Sequence, residues 1–117
     1  MNNFIGKHYS KEYDCASFVS EWFKVRLGIE LPDFRGGKMA QVRWLRNNFT
    51  PVDEATDNCI VYMRTITDKM HVGVYYNGYV YHNNGTGEVG THGAVVATKL
   101  TVIKNNFYNI RFGKWSS

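Results

Sequence analysis

Residues 71–82 read HVGVYYNGYVYH, two runs of β-branched and aromatic residues on either side of Asn77 and Gly78. Such runs are typical of β-strands. Asn-Gly is the preferred centre of a two-residue type I′ turn, because both central positions need a positive φ angle. The stretch therefore predicts a β-hairpin in which Tyr76 pairs with Tyr79, and the turn sets the register of both strands.

The hairpin brings two histidines to one face. Side chains alternate between the two faces of a strand, so His71 and His82 point to the same side as diagonal neighbours, about 7 Å apart at the backbone. Their imidazole rings are then within reach of a hydrogen bond, and Gly73, opposite His82, leaves the space open. If strand pairing continues, Asn84 lies directly opposite His71, so Asn84 is the alternative partner for that ring.

A candidate nucleophile lies near the start of the chain. Cys15 follows Asp14 and opens an amphipathic run with helical spacing, which Gly28 ends. Nucleophilic catalysis needs a thiolate, and both the positive end of a helix and a nearby imidazole lower the pKa of a thiol. The pattern predicts Cys15 as nucleophile, His71 as general base and His82 as the residue that orients the base. From spacing alone, a buried structural cysteine with core histidines is the alternative.

The rest of the sequence divides into helices followed by strands. A second amphipathic stretch, 38–48 with Phe49 on its apolar face, predicts another helix. Beyond Pro51 the sequence is rich in Val, Ile, Tyr and Thr. The predicted strands cover 59–65, 71–76, 79–82, 94–98 and 108–112. No linker separates the halves, so we expect an α+β fold, with N-terminal helices packed on an antiparallel β-sheet, in a single domain spanning residues 1–117.

Composition narrows the class of protein. A chain of 117 residues with 44% hydrophobic residues can build one core. The formal net charge is +4, but the basic residues are scattered, so we do not expect nucleic-acid binding. No apolar run approaches the roughly 20 residues that span a bilayer, and no signal peptide is recognisable. We therefore expect synthesis in the cytoplasm and no membrane insertion.

The two cysteines lack the dense spacing of a disulfide-stapled scaffold. Both thiols are expected to be free, with a Cys15 to Cys59 disulfide as the alternative. A zinc site made from these cysteines and the two histidines would lack the closely spaced ligand pairs typical of such sites. We expect neither a metal nor an organic cofactor.

Four separated segments together resemble one protein family. YDCASFV at 13–19 resembles the FDCSGLV motif of the NlpC-type cell-wall cysteine peptidases, a papain-like family. HVGVYYNGYVYH is similar to that family's histidine strand and the strand that ends in its third catalytic residue. IGKHY at 5–9 resembles the upstream LGTPY element, and DNCIVYMR at 57–64 resembles the GDLVFF strand. The resemblance covers most of the chain in the family's order and implies a papain-like fold.

The resemblance also implies a reaction. Members of the family hydrolyse amide bonds in peptidoglycan stem peptides through a thioester, which would form here on Cys15. The resemblance gives His71 the role of general base and His82 the orienting role. It implies that Tyr9 lines the site and helps to hold the oxyanion, while Asp14 supports the substrate side or the local backbone.

The expected biological setting follows from family analogy. Small size, with neither a targeting segment nor a wall-binding module, favours a phage tail-associated wall hydrolase or an effector delivered by another machine. Its location would then be the virion or the cell wall, and its partners would be stem peptides and phage tail or delivery proteins. Two alternatives stay open: a thiol acyltransferase or deamidase on the same fold, and a non-catalytic tail or scaffold protein.

Overall fold

The protein combines helices with one antiparallel sheet, as the sequence predicts. The computed structural model describes residues 4–7, 15–31, 38–84 and 93–116, with the backbone alone for 38–42. The helices are α1 (Cys15–Trp22), a π-helical turn that continues it (Phe23–Leu27), α2 (Lys38–Asn48) and α3 (Leu100–Asn106). The strands are β1 (Phe49–Val52), β2 (Ile60–Arg64), β3 (Met70–Tyr76), β4 (Tyr79–Asn83), β5 (Val95–Lys99) and β6 (Tyr108–Trp115). They form a six-stranded sheet in the order β1-β6-β2-β3-β4-β5.

The β3–β4 hairpin has the predicted register. Tyr76 pairs with Tyr79, and the pairing continues to Val74 opposite Tyr81. At the tip, Asn77 and Gly78 have φ angles of 51° and 90°. Positive φ at both positions is what a type I′ turn requires. The alternation of side chains along the two strands is therefore the one that the sequence predicts.

The sheet is covered on both faces. On one face, Phe18 and Trp22 of α1 belong to a buried cluster that includes Val72 and Val74 of β3. On the other face, Ile103 of α3 packs in a second buried cluster. The strand residues of this second cluster are Val61, Met63 and Val80. Alternate residues of one hairpin therefore pack under different helices.

Helix α1 ends at the hairpin end of β3. The Trp22 ring lies 6.0 Å from the Tyr76 ring, and its Nε1–H donates a hydrogen bond of 3.1 Å to Asn58 Oδ1. The π-helical turn then stops at Gly28, which has a φ angle of 67° and is the predicted C-terminal residue. Cys15 opens α1, so it lies at the opposite end of the helix from this contact.

Two elements were not predicted. Phe49, assigned from the sequence to a helix face, begins β1, and Pro51 lies inside that strand. Proline is tolerated there because, among the strands that the structure describes, β1 pairs with β6 alone and forms an edge of the sheet. Helix α3 has a β-branched sequence, LTVIKNN, which by itself favours a strand. The complete burial of Ile103 shows that packing on the sheet overrides this local preference.

Candidate active site

The two histidines form a buried pair. His71 is the second residue of β3, His82 lies on β4, and their side chains are 7% and 4% exposed. The distance from His71 Nε2 to His82 Nδ1 is 2.8 Å. The hydrogen bond predicted from the hairpin register is therefore present, and it leaves Nδ1 as the His71 ring nitrogen that His82 does not use.

Gly73 makes room for this pair. A Cβ atom at this position would lie 2.7 Å from the Tyr81 carbonyl oxygen and 3.0 Å from His82 Cβ. The first of these distances is shorter than packed atoms tolerate, and backbone cannot easily move aside. The glycine is therefore required by the close approach of the two strands beside the histidines.

Thr98 extends the pair to a third strand. Its Oγ1 lies 3.0 Å from His82 Nε2. In the β4–β5 register, Thr98 pairs with Val80, which is two residues from His82 on the same face. Sequence reasoning missed this residue, because β4 ends at Asn83 and β5 begins at Val95, and so long a connection does not set the register as a two-residue turn does.

Phe107 covers both imidazole rings. Its ring stacks on His71 with a centroid separation of 5.6 Å and an interplanar angle of 6°. It meets His82 edge to face at 6.2 Å and 89°. Phe107 follows α3, the helix that the sequence did not reveal, so it too was missed. Its position shields the hydrogen bond between the histidines from solvent.

Burial keeps the pair uncharged. Desolvation, with a smaller repulsion from His82, lowers the pKa of His71 to about 3. Desolvation also lowers the pKa of His82 to about 4. Both rings are therefore neutral near pH 7 in the absence of a neighbouring negative charge.

The two cysteines differ sharply in environment. Cys15 is half-buried at the start of α1 and packs against the cluster beneath that helix, whereas Cys59 is buried. Burial raises the pKa of the Cys59 thiol, which makes it a poor nucleophile. No disulfide joins Cys15 to Cys59, so the alternative pairing is not formed. The contact predicted between Cys15 and His71 stays a prediction.

The remaining predicted site residues fall into two groups. Asn84 accepts a hydrogen bond of 2.8 Å from the Ala94 N–H at Oδ1 and donates its own backbone N–H to the Ala94 carbonyl. It therefore joins the two chain segments flanking 85–92, while His82 is the residue that bonds to His71. Tyr9 and Asp14 lie outside the described residues.

A separate groove lies on the α1 side of the sheet. Its volume is about 230 Å³, and its walls come from α2, β1, β2 and β6. Its lining residues are Leu45, Arg46, Phe49, Pro51, Ile60, Tyr62, Arg111, Phe112 and Gly113. Neither histidine is among them, so the groove is distinct from the histidine pair.

Two further features concern ligands and membranes. Within the ranges that the structure covers, no group of three or more His, Cys, Asp or Glu side chains is arranged to hold a metal ion. Of the helices in those same ranges, none has the length and apolarity needed to cross a membrane.

Helices on a six-stranded antiparallel sheet, with a cysteine opening α1 and paired histidines on the central hairpin, define a papain-like α+β protein. The model of the NlpC/P60 family matches residues 3–109. The match covers most of the chain, and the protein belongs to the NlpC/P60 family, a family of cell-wall cysteine peptidases and related hydrolases. A comparison with curated protein sequences found no significant match.

Proposed function

We propose that the protein is a cysteine peptidase or amidase that hydrolyses amide bonds in peptidoglycan stem peptides. The hydrogen bond between His71 and His82 is the observation that carries this proposal. A general base needs a third group to hold its ring, and here that group is in place on the adjacent strand. Membership of a cell-wall hydrolase family supports this substrate class.

The nucleophile in this proposal is Cys15. His71 is the second residue of β3 and Cys15 opens α1, and each lies near the end of its element away from the contact between Trp22 and Tyr76. The body of α1 covers the face of β3 opposite the histidines. We propose that the Cys15 thiol reaches His71 Nδ1 around the N-terminal end of β3.

The reaction then runs in two steps. As Cys15 Sγ attacks the scissile carbonyl carbon, its proton passes to His71 Nδ1, and the resulting imidazolium gives that proton to the leaving amine. A water molecule, deprotonated by the same nitrogen, next cleaves the thioester and restores the thiol. The Cys15 backbone N–H at the start of α1 and the Tyr9 side chain are proposed to stabilise the oxyanion.

The electrostatics of the pair define when His71 becomes charged. Its low pKa means that an imidazolium needs a negative partner close by, which a Cys15 thiolate supplies. The Phe107 ring over His71 favours this charged form once it exists, and His82 Nδ1 is positioned to accept a hydrogen bond from the charged ring. The pair is therefore suited to transient proton transfer rather than to a standing charge.

For the biological setting, we propose a phage tail-associated or delivered wall hydrolase that works with tail or delivery proteins. The formal net charge of +4 suits encounter with anionic wall polymers.

Purified peptidoglycan is the direct test of the reaction. The wild-type protein should release fragments whose masses show a new amine and a new carboxyl group at one amide, and the Cys15→Ser protein should release none. An added amine offered as acceptor separates hydrolysis from acyl transfer, because acyl transfer would join that amine to the fragment. A deamidase would give a different pair of results. The wild-type protein would release no new fragment from the wall, but it would convert the glutamine side chain of a test peptide to glutamate.

A further inference from the structure

His82 uses both of its ring nitrogens. Nδ1 bonds to His71 Nε2 at 2.8 Å, and Nε2 bonds to Thr98 Oγ1 at 3.0 Å. His82 is 4% exposed, so solvent is a poor substitute for either partner. A line of hydrogen bonds therefore runs across three strands, from His71 through His82 to Thr98.

The direction of these hydrogen bonds follows from the reaction. Once His71 has taken up the thiol proton, both of its ring nitrogens are donors. His82 Nδ1 must then accept, and a neutral His82 carries its single proton on Nε2. In this tautomer that N–H points to Thr98, whose hydroxyl oxygen can accept it; without this acceptor the buried N–H would be unpaired, which would disfavour the tautomer.

We propose that Thr98 is a positioning residue that holds His82 in the tautomer protonated at Nε2, and this inference rests on the proposed function. With this tautomer, His71 keeps its own proton on Nε2 and presents the Nδ1 lone pair to the thiol. In the other tautomer, His82 donates to His71 Nε2 instead. His71 then carries its proton on Nδ1 and has no lone pair there for the proton of Cys15.

Two substitutions separate this role from simple packing. Thr98→Val keeps the β-branched shape but removes the acceptor, so kcat should fall about 10-fold to 100-fold, the range for one buried hydrogen bond, with KM little changed. Thr98→Ser keeps the hydroxyl and should restore most of the rate. In a His82→Ala background, Thr98→Val should have almost no further effect, because the residue through which Thr98 acts is gone.

A spectroscopic measurement tests the tautomer without any substrate. In the wild-type protein with ¹⁵N-labelled histidine, NMR should show the His82 proton on Nε2, and Thr98→Val should shift the population toward Nδ1. A wild-type proton on Nδ1 would overturn the proposal, as would a Thr98→Val protein with unchanged tautomer and unchanged kcat. If the tautomer result holds but the protein cleaves no wall substrate, the proposed function fails while the role of Thr98 in the pair stands.

Discussion

The two faces of the β3–β4 hairpin use neighbouring residues for different purposes. Val72 and Val74 point toward α1 and join an apolar, aromatic cluster. His71 and His82 point the other way and form a buried polar pair beneath Phe107. One short stretch of chain therefore supplies core packing on one side and chemistry on the other. The comparison teaches that activity and stability should respond separately to substitutions one residue apart.

The largest expected effect concerns Cys15, the proposed nucleophile that acts with the histidine pair. Cys15→Ser should abolish wall hydrolysis while the fold survives, because a serine hydroxyl is a far weaker nucleophile beside a neutral imidazole. Cys59→Ser, at a buried thiol, should leave the turnover rate of the folded protein within several-fold. Rates and circular dichroism spectra of the two variants provide the check, and equal loss in both would refute the assignment of Cys15.

The next effect concerns the third residue of the site. His82→Ala should lower kcat roughly 10-fold or more, because His71 loses the group that orients its ring. Asn84→Ala is the matched control, since Asn84 bonds to Ala94 rather than to the ring in the structure. Steady-state kinetics on both variants will decide, and greater damage from Asn84→Ala would mean that the third residue is wrongly assigned.

Adjacent positions on opposite faces give a sharper contrast. Gly73→Ala should displace His82 and lower kcat, because the new Cβ atom meets Tyr81 backbone and His82 Cβ. Val74→Ala should leave kcat almost unchanged but lower the free energy of unfolding by about 2 kcal/mol through lost apolar burial. Urea unfolding and kinetics on the same samples measure both quantities. A large kcat loss in Val74→Ala with full folding would erase the distinction between the faces.

The last prediction concerns the pH dependence of stability, which appears only below pH 6.5. Folding lowers the histidine pKa values from 6.5 to about 3 for His71 and about 4 for His82, so the unfolded chain binds more protons below pH 6.5. The free energy of unfolding should therefore be highest above pH 6.5 and fall as the pH drops toward 3, at up to about 1.4 kcal/mol per pH unit for each ring. Urea titrations at several pH values test this, and a His71→Asn, His82→Asn protein should show a flatter profile. An equal slope in that double variant would place the titration elsewhere.

The sequence predicted the hairpin side of the site because its information is local. Asn77 and Gly78 set a register, and the register alone brings His71 and His82 together. Thr98 and Phe107 depend instead on how β5 and α3 fold back on the sheet. No short turn joins β4 to β5, and the β-branched sequence of α3 does not resemble a helix, so neither residue could be found by pattern.

The helical side shows the same division. Amphipathic spacing predicted the start of α1 at Cys15 and the span of α2. Gly28 marked the end of the first helical segment. The edge strand β1 was missed, because a proline such as Pro51 argues against a strand in the middle of a sheet. The sequence does not reveal that this strand lies at the edge, where it pairs with β6.

Reactivity of the Cys15 thiol tests the central claim most directly, namely that His71 activates this cysteine. Near pH 7, limiting iodoacetamide should label the wild-type protein rapidly and at Cys15 alone, as peptide mass spectrometry can show. His71→Ala should slow that labelling roughly 10-fold or more, because the thiol loses the base that accepts its proton. Equal labelling rates in the two proteins, or labelling that favours Cys59, would contradict the account.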